Sequence, residues 1–147
     1  MKGKSDMTES CNNRQSGIEQ EAYPLKTKQL IYISHPSGGT EENAREIAYI
    51  INELYKDDEI FDKFCFVSPV HCYGFMYDVY KDNYLKGLQF CLDLLMHCEK
   101  MLVFGDWKKS RGCLREVEVA QSLNKPFACF EDISDMAAIV EYVKNTF

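Results

Sequence analysis

Four short apolar runs punctuate the chain, and longer amphipathic stretches separate them. Leu30-Ile31-Tyr32-Ile33, Phe64 to Val67, Met101 to Phe104 and Phe127 to Phe130 read as buried strands, being too short for core helices. Between the first two runs, Ala44, Ile47, Ala48, Ile51, Leu54 and Tyr55 recur at helical spacing, which predicts a helix over 41–55. Thr40 stands where a cap belongs, and Glu41 and Glu42 suit the positive end of that helix. Leu85, Leu88, Cys91, Leu92 and Leu95 share one face of a second helix, 84–97. A third runs over 112–123 and is stopped by Asn124 and Pro126; a last one, 135–145, takes Ser134 as its cap. Residues 70–83 are aromatic-rich without a clean period and read as a long loop, and 105–111 as a polar loop.

Strands that alternate with helices imply a parallel sheet covered on both faces. Right-handed crossovers leave few arrangements. The expected fold is α/β, a flavodoxin-like three-layer α/β/α sandwich with a parallel sheet of four to five strands in the order 2-1-3-4. Its switch point lies between the first and third strands, where ligands bind outside the carboxyl ends. The loops leaving those two strands are Ser34–Thr40 and Gly105–Arg111, and they carry the glycines, serines and polar groups.

Composition narrows the function classes. Residues 1–27 are polar and read as a mobile tail, which leaves 28–147 as one domain. A formal charge of −6 without a dense Lys/Arg cluster argues against a nucleic-acid polymer as partner. No apolar run reaches the ~20 residues of a membrane span, and the polar N-terminus lacks a secretory signal. The seven cysteines are odd in number and contain no C-x-x-C pair. Cys65, Cys91, Cys98 and Cys129 lie inside apolar runs, which fits buried, reduced thiols in a cytoplasmic protein. His71-Cys72 and His97-Cys98 are adjacent pairs, poor chelates with no second half-site, so no metal and no cofactor is expected.

Two stretches carry candidate chemistry. In "SHPSGGTEENA", 34–44, Gly38-Gly39 at a strand-to-helix junction either turn the chain or bare N–H groups for an anion. The pattern matches neither the Rossmann nor the Walker fingerprint. Ser34, His35 and Ser37 flank these glycines; His35 is a ligand contact or a solvated turn residue. In "FGDWKKSRGCLREVEVA", 104–120, Ser110 can cap the third helix with Gly112 just inside it. Glu116 and Ala120 are four apart and share a face, whereas Glu118 points elsewhere. Glu116 is either an ionised nucleophile near a helix N-terminus or an exposed glutamate paired with Arg115 or Arg111. Trp107 stacks on a ligand or packs. Tyr73, Phe75, Tyr77 and Tyr80 stack on a base, form a lid, pack between subunits or fill the core.

The chain resembles the nucleoside 2-deoxyribosyltransferase-like superfamily, in particular a small, largely uncharacterised bacterial and phage branch. "IYISHPSGGTEENA", "FVSPVH" and "DWKKSRGCLREVEVAQSLNKPF" carry the resemblance, which covers roughly residues 29–131. The third is the most specific: Gly112, Glu116, Ala120, Lys125 and Pro126 follow the superfamily pattern.

The resemblance implies cleavage or transfer of the N-glycosidic bond of a nucleotide or deoxynucleoside. Glu116 would attack the anomeric carbon, the base would leave, and water or a second base would take the sugar. The candidate substrate contacts are Ser34, His35, Ser37, Gly38, Gly39, Tyr77, Trp107, Ser110 and Gly112, of which the resemblance itself points to Ser110. Ser110 with Gly38-Gly39 leans toward a 5′-phosphorylated ligand. Active relatives carry an aspartate at the position of Cys91 to handle the proton and the base; Asp78, Asp82 or Asp106 would have to substitute, and Asp106 is the named candidate. Relatives of this type form dimers or larger homo-oligomers. The alternative expectation is a non-catalytic nucleotide-binding or sensing module on the same fold.

Overall fold

The computed structural model describes residues 26–147, so nearly all of the expected tail lies outside the described residues. Strands β1 (Gln29–Ser34), β2 (Phe64–Val67), β3 (Lys100–Phe104) and β4 (Phe127–Phe130) form one sheet. Its order is β2-β1-β3-β4 and every neighbouring pair is parallel. This is the expected α/β topology, built with four strands.

Among the described residues seven helices accompany the sheet: α1 (Glu41–Leu54), α2 (Asp58–Lys63), α3 (Pro69–Tyr73), α4 (Tyr77–Tyr80), α5 (Tyr84–His97), α6 (Arg111–Ser122) and α7 (Met136–Thr146). Side chains alternate across a strand, so β1 feeds two cores. Ile31 and Ile33 pack with Ile47, Ile50 and Leu54 of α1 and with Met136, Ile139 and Val143 of α7. Tyr32 goes to the opposite face, with Leu95 of α5 and with Val117 and Ala120 of α6. Each fully buried Ile or Leu contributes ~2 kcal/mol of transfer free energy, and this burial holds the three layers together.

Several expectations need correction. Residues 70–83 are not a long loop. They fold as α3, a 3-10 turn at Gly74–Met76 and α4. Pro69 starts α3 at a position where a helix has no use for its N–H. The pieces are too short for a hydrophobic period to show; aromatic packing holds them, with Tyr73 stacked on Phe90 at 5.3 Å and Tyr80 edge-on to the same ring. Helix α2 was not anticipated, although Asp57 caps it by accepting from the Glu59 and Ile60 N–H groups. Asp135, not Ser134, caps α7 by accepting from Ala138. Cys129 is exposed, because β4 is an edge strand. Thr40 and Ser110 cap α1 and α6 as expected.

Candidate functional site

The site grows out of two periodicities. Tyr32 and Ser34 are two apart on β1 and point to the same face. Glu116 and Ala120 are four apart on α6 and turn toward the sheet. The two patterns meet at the carboxyl end of β1. Tyr32 Oη donates to Glu116 Oε1 at 2.7 Å, and Ser34 Oγ donates to Oε2 at 2.5 Å. Glu116 is only 5% exposed, which overturns the reading of an exposed glutamate paired with arginine. Arg115 pairs with Glu118 instead, on the outer face of α6. Burial pushes the Glu116 carboxyl up from its ordinary 4.5 to about 6, and the two hydroxyl bonds oppose that rise.

Glu116 lies in the wall of a cleft of about 770 Å³ at the switch point between β1 and β3. Gly38 and Gly39 form one rim, with φ of +53° and +71°, values that an L side chain rarely adopts. A Cβ at Gly39 would also approach the Tyr77 ring to 2.9 Å. Both the α1 and the α6 N-termini open on the cleft, through Gly38–Glu41 and Ser110–Gly112. Lys81, Lys109 and Arg111 line the cleft; the two lysines are paired with Asp78 and Asp106, and Arg111 lies 4.8 Å over the Tyr84 ring. Glu41 and Glu116 are the carboxylates that line the cleft. The donors and cations therefore favour an anionic group at the rim, and the aromatic wall of Tyr77, Tyr80 and Tyr84 favours a flat ring. Among the described residues, no group of three or more His, Cys, Asp or Glu side chains is placed to hold a metal ion.

The structure gathers most of the anticipated residues. His35, Ser37, Gly38, Gly39, Tyr77, Ser110, Gly112 and Glu116 all line the cleft, and Ser34 reaches it through Glu116. His35 is not a solvated turn residue: it is 8% exposed and fixed by Glu46 and the Pro36 carbonyl.

Asp106 and Trp107 are not brought in. Asp106 is exposed and paired with Lys109, because the 3-10 turn Trp107–Lys109 carries it outward. Trp107 packs against the Tyr32–Val103 core instead of lining the cleft, and its buried Nε1 has no hydrogen-bond partner. Asp106→Asn is therefore expected to leave stability within ~0.5 kcal/mol, checked by thermal melting.

Asp78 is also exposed and paired with Lys81, and Asp82 is exposed, so neither replaces the missing acid. Cys91 itself lines the cleft. Burial first, then the nearby Glu116 charge, push its thiol up to about 12, which keeps it neutral.

Sequence reasoning passed over Tyr32, Tyr84, Arg111 and Glu46 as site residues. Tyr32 and Ser34 left a signal, as polar atoms alternating with Ile31 and Ile33 on an otherwise apolar strand. Ser110 Oγ accepts from the Cys113 N–H, so Ser110→Ala should cost ~1 kcal/mol of stability, measured by denaturant unfolding.

No curated protein matches the chain. A family model described as "Domain of unknown function (DUF7768)" matches residues 29–130, from the first residue of β1 to the last of β4. That span holds the whole sheet, the glycine turn and Glu116, and the chain belongs to the DUF7768 family.

Proposed function

We propose that the protein cleaves or transfers the N-glycosidic bond of a nucleotide or deoxynucleoside, with Glu116 as nucleophile, and that it is related to the nucleoside 2-deoxyribosyltransferase-like superfamily. One observation carries this reading: a buried carboxylate, gripped on both oxygens, stands in the wall of a cleft whose rim is built for an anion. A volume of about 770 Å³ suits a mononucleotide. In the reaction a Glu116 oxygen bonds to the anomeric carbon while the bond from that carbon to the base nitrogen breaks. The base leaves with the electron pair and takes a proton from solvent. Water or a second base then attacks the same carbon and frees Glu116. The Tyr32 and Ser34 hydroxyls hold the carboxylate in place and stabilise it again on release.

A second reading, a non-catalytic nucleotide-binding or sensing module, is favoured by Cys91. A neutral thiol that holds its proton to about 12 is a poor acid, and acid help is worth ~10²–10⁴ in rate. The chemistry needs no metal or cofactor. The proposed setting is the cytoplasm, supported by unpaired cysteines among the described residues. Among those residues no helix is long and apolar enough to cross a membrane, and neither a membrane nor a nucleic-acid polymer is a proposed partner. The proposed assembly is a homo-oligomer, supported by exposed Leu85 and Leu114 beside the cleft.

The test is a panel of deoxynucleosides and their 5′-monophosphates, with free base followed by chromatography. Base release supports the first reading. Thermal stabilisation by one member without release supports the second. Neither release nor stabilisation with any member rejects both.

A further inference from the structure

We propose that His35 is a positioning residue: held between Glu46 and the Pro36 carbonyl, it keeps the Ser37–Gly39 turn in the form that presents its N–H groups to an anion. The identity of the anion, a phosphorylated nucleotide, rests on the reading above.

The geometry is specific. The His35 side chain is 3% exposed, and both ring nitrogens face oxygen at 2.6 Å. Nε2 faces Glu46 Oε2 and Nδ1 faces the Pro36 carbonyl oxygen. A neutral imidazole has one N–H, so one oxygen would confront a lone pair at that distance; an imidazolium satisfies both. The ring also has a built slot: at Gly105, where φ is +73°, a Cβ would stand 3.3 Å from Nε2.

The consequence reaches the turn through the planar trans peptide, in which C=O and N–H point in opposite directions. Tying the Pro36 oxygen to His35 directs the Ser37 N–H the other way. The Ser37 oxygen is tied in turn by the Thr40 N–H at 3.0 Å and by Asn43 Nδ2 at 2.9 Å, which directs the Gly38 N–H outward. Successive N–H groups freed in this way form an anion-binding concavity.

Charged groups around the ring are few. Glu46 reaches it from α1, and the end of β3 offers only the Gly105 backbone. Across the cleft stand Glu41, Lys81, Lys109, Arg111 and Glu116.

The affinity of the full-length protein for inorganic phosphate and deoxyadenosine 5′-monophosphate would be measured at one fixed pH, with the ring nitrogens of His35 followed by NMR. Nδ1 should carry a proton, since a carbonyl oxygen only accepts. His35→Asn keeps a donor in the Nδ1 position and should hold the wild-type affinity. His35→Gln keeps only the Nε2 donor and should bind roughly 5- to 10-fold more weakly, the loss of one ordered hydrogen bond. Glu46→Gln, at a position 41% exposed, guards against failure of the buried variants to fold and should weaken binding by loosening the ring.

An Nδ1 without a proton, equal affinity in His35→Gln and wild type, or no binding of either anion would overturn the proposal. Anion binding that depends on His35 in this way but without base release keeps the positioning role and removes the glycosidic reading. Base release indifferent to His35 does the reverse.

Discussion

Glu116→Gln is expected to abolish base release, by on the order of 10³-fold or more, while the protein stays folded and still binds nucleotide. Glutamine keeps the volume of the side chain. Its Oε1 accepts from Tyr32 as Glu116 does, and its Nε2 donates to Ser34 Oγ, whose hydroxyl turns to accept. What disappears is the negative oxygen that the proposed reaction uses to bond to the sugar. The rate of the wild type should also rise with pH through about 6, as the carboxylate ionises. Turnover of the best substrate, for wild type and variant over that range, decides the matter. Release by the variant at a rate near wild type would remove Glu116 from the chemistry.

The same variant is expected to be more stable than the wild type at neutral pH, by ~2 kcal/mol. The Glu116 carboxyl rises from 4.5 in the unfolded chain to about 6 in the fold, so the folded state binds the proton more tightly. A rise of ~1.5 pH units corresponds to ~2 kcal/mol. The sign follows from which state holds the proton. Below about 4.5 both states are protonated and the fold keeps its full stability. As pH rises through about 6 the buried carboxylate ionises and that stability is lost. Glutamine does not titrate, so the difference between the two unfolding free energies should be near zero in acid and grow to its full size above about 6. Denaturant unfolding at several pH values measures it. A difference independent of pH would mean that Glu116 is not desolvated. An active-site group that costs stability in its working state is a common trade.

The fold was largely legible because it rests on period and punctuation. Each strand is a bounded apolar run, and α1, α5 and α6 carry long apolar stripes closed by Thr40, Asn124 and Pro126. Asn124 even takes the left-handed backbone, φ 53°, that ends α6. The segment 69–83 was not legible, because helices of four or five residues show no period and aromatic stacking on α5 decides them. Within the site, Ser110 and the two glycines were readable from their places at element ends, whereas Glu116 stands mid-helix and its proposed role came from the family resemblance. Asp106 and Trp107 were not readable, because a single 3-10 turn sets which side of the loop faces the cleft.

The sequence alone determined four parallel strands, their order and the two loops at the switch point, because hydrophobic period and right-handed crossovers act over short stretches. Only the tertiary structure decided that Tyr32 and Ser34 grip Glu116 across 84 and 82 residues of chain, that His35 is locked between Glu46 and Pro36, and that Cys91 lines the cleft. Period assigns a face to each side chain. Which partner waits on that face depends on how the layers close, and that is a property of the packed core.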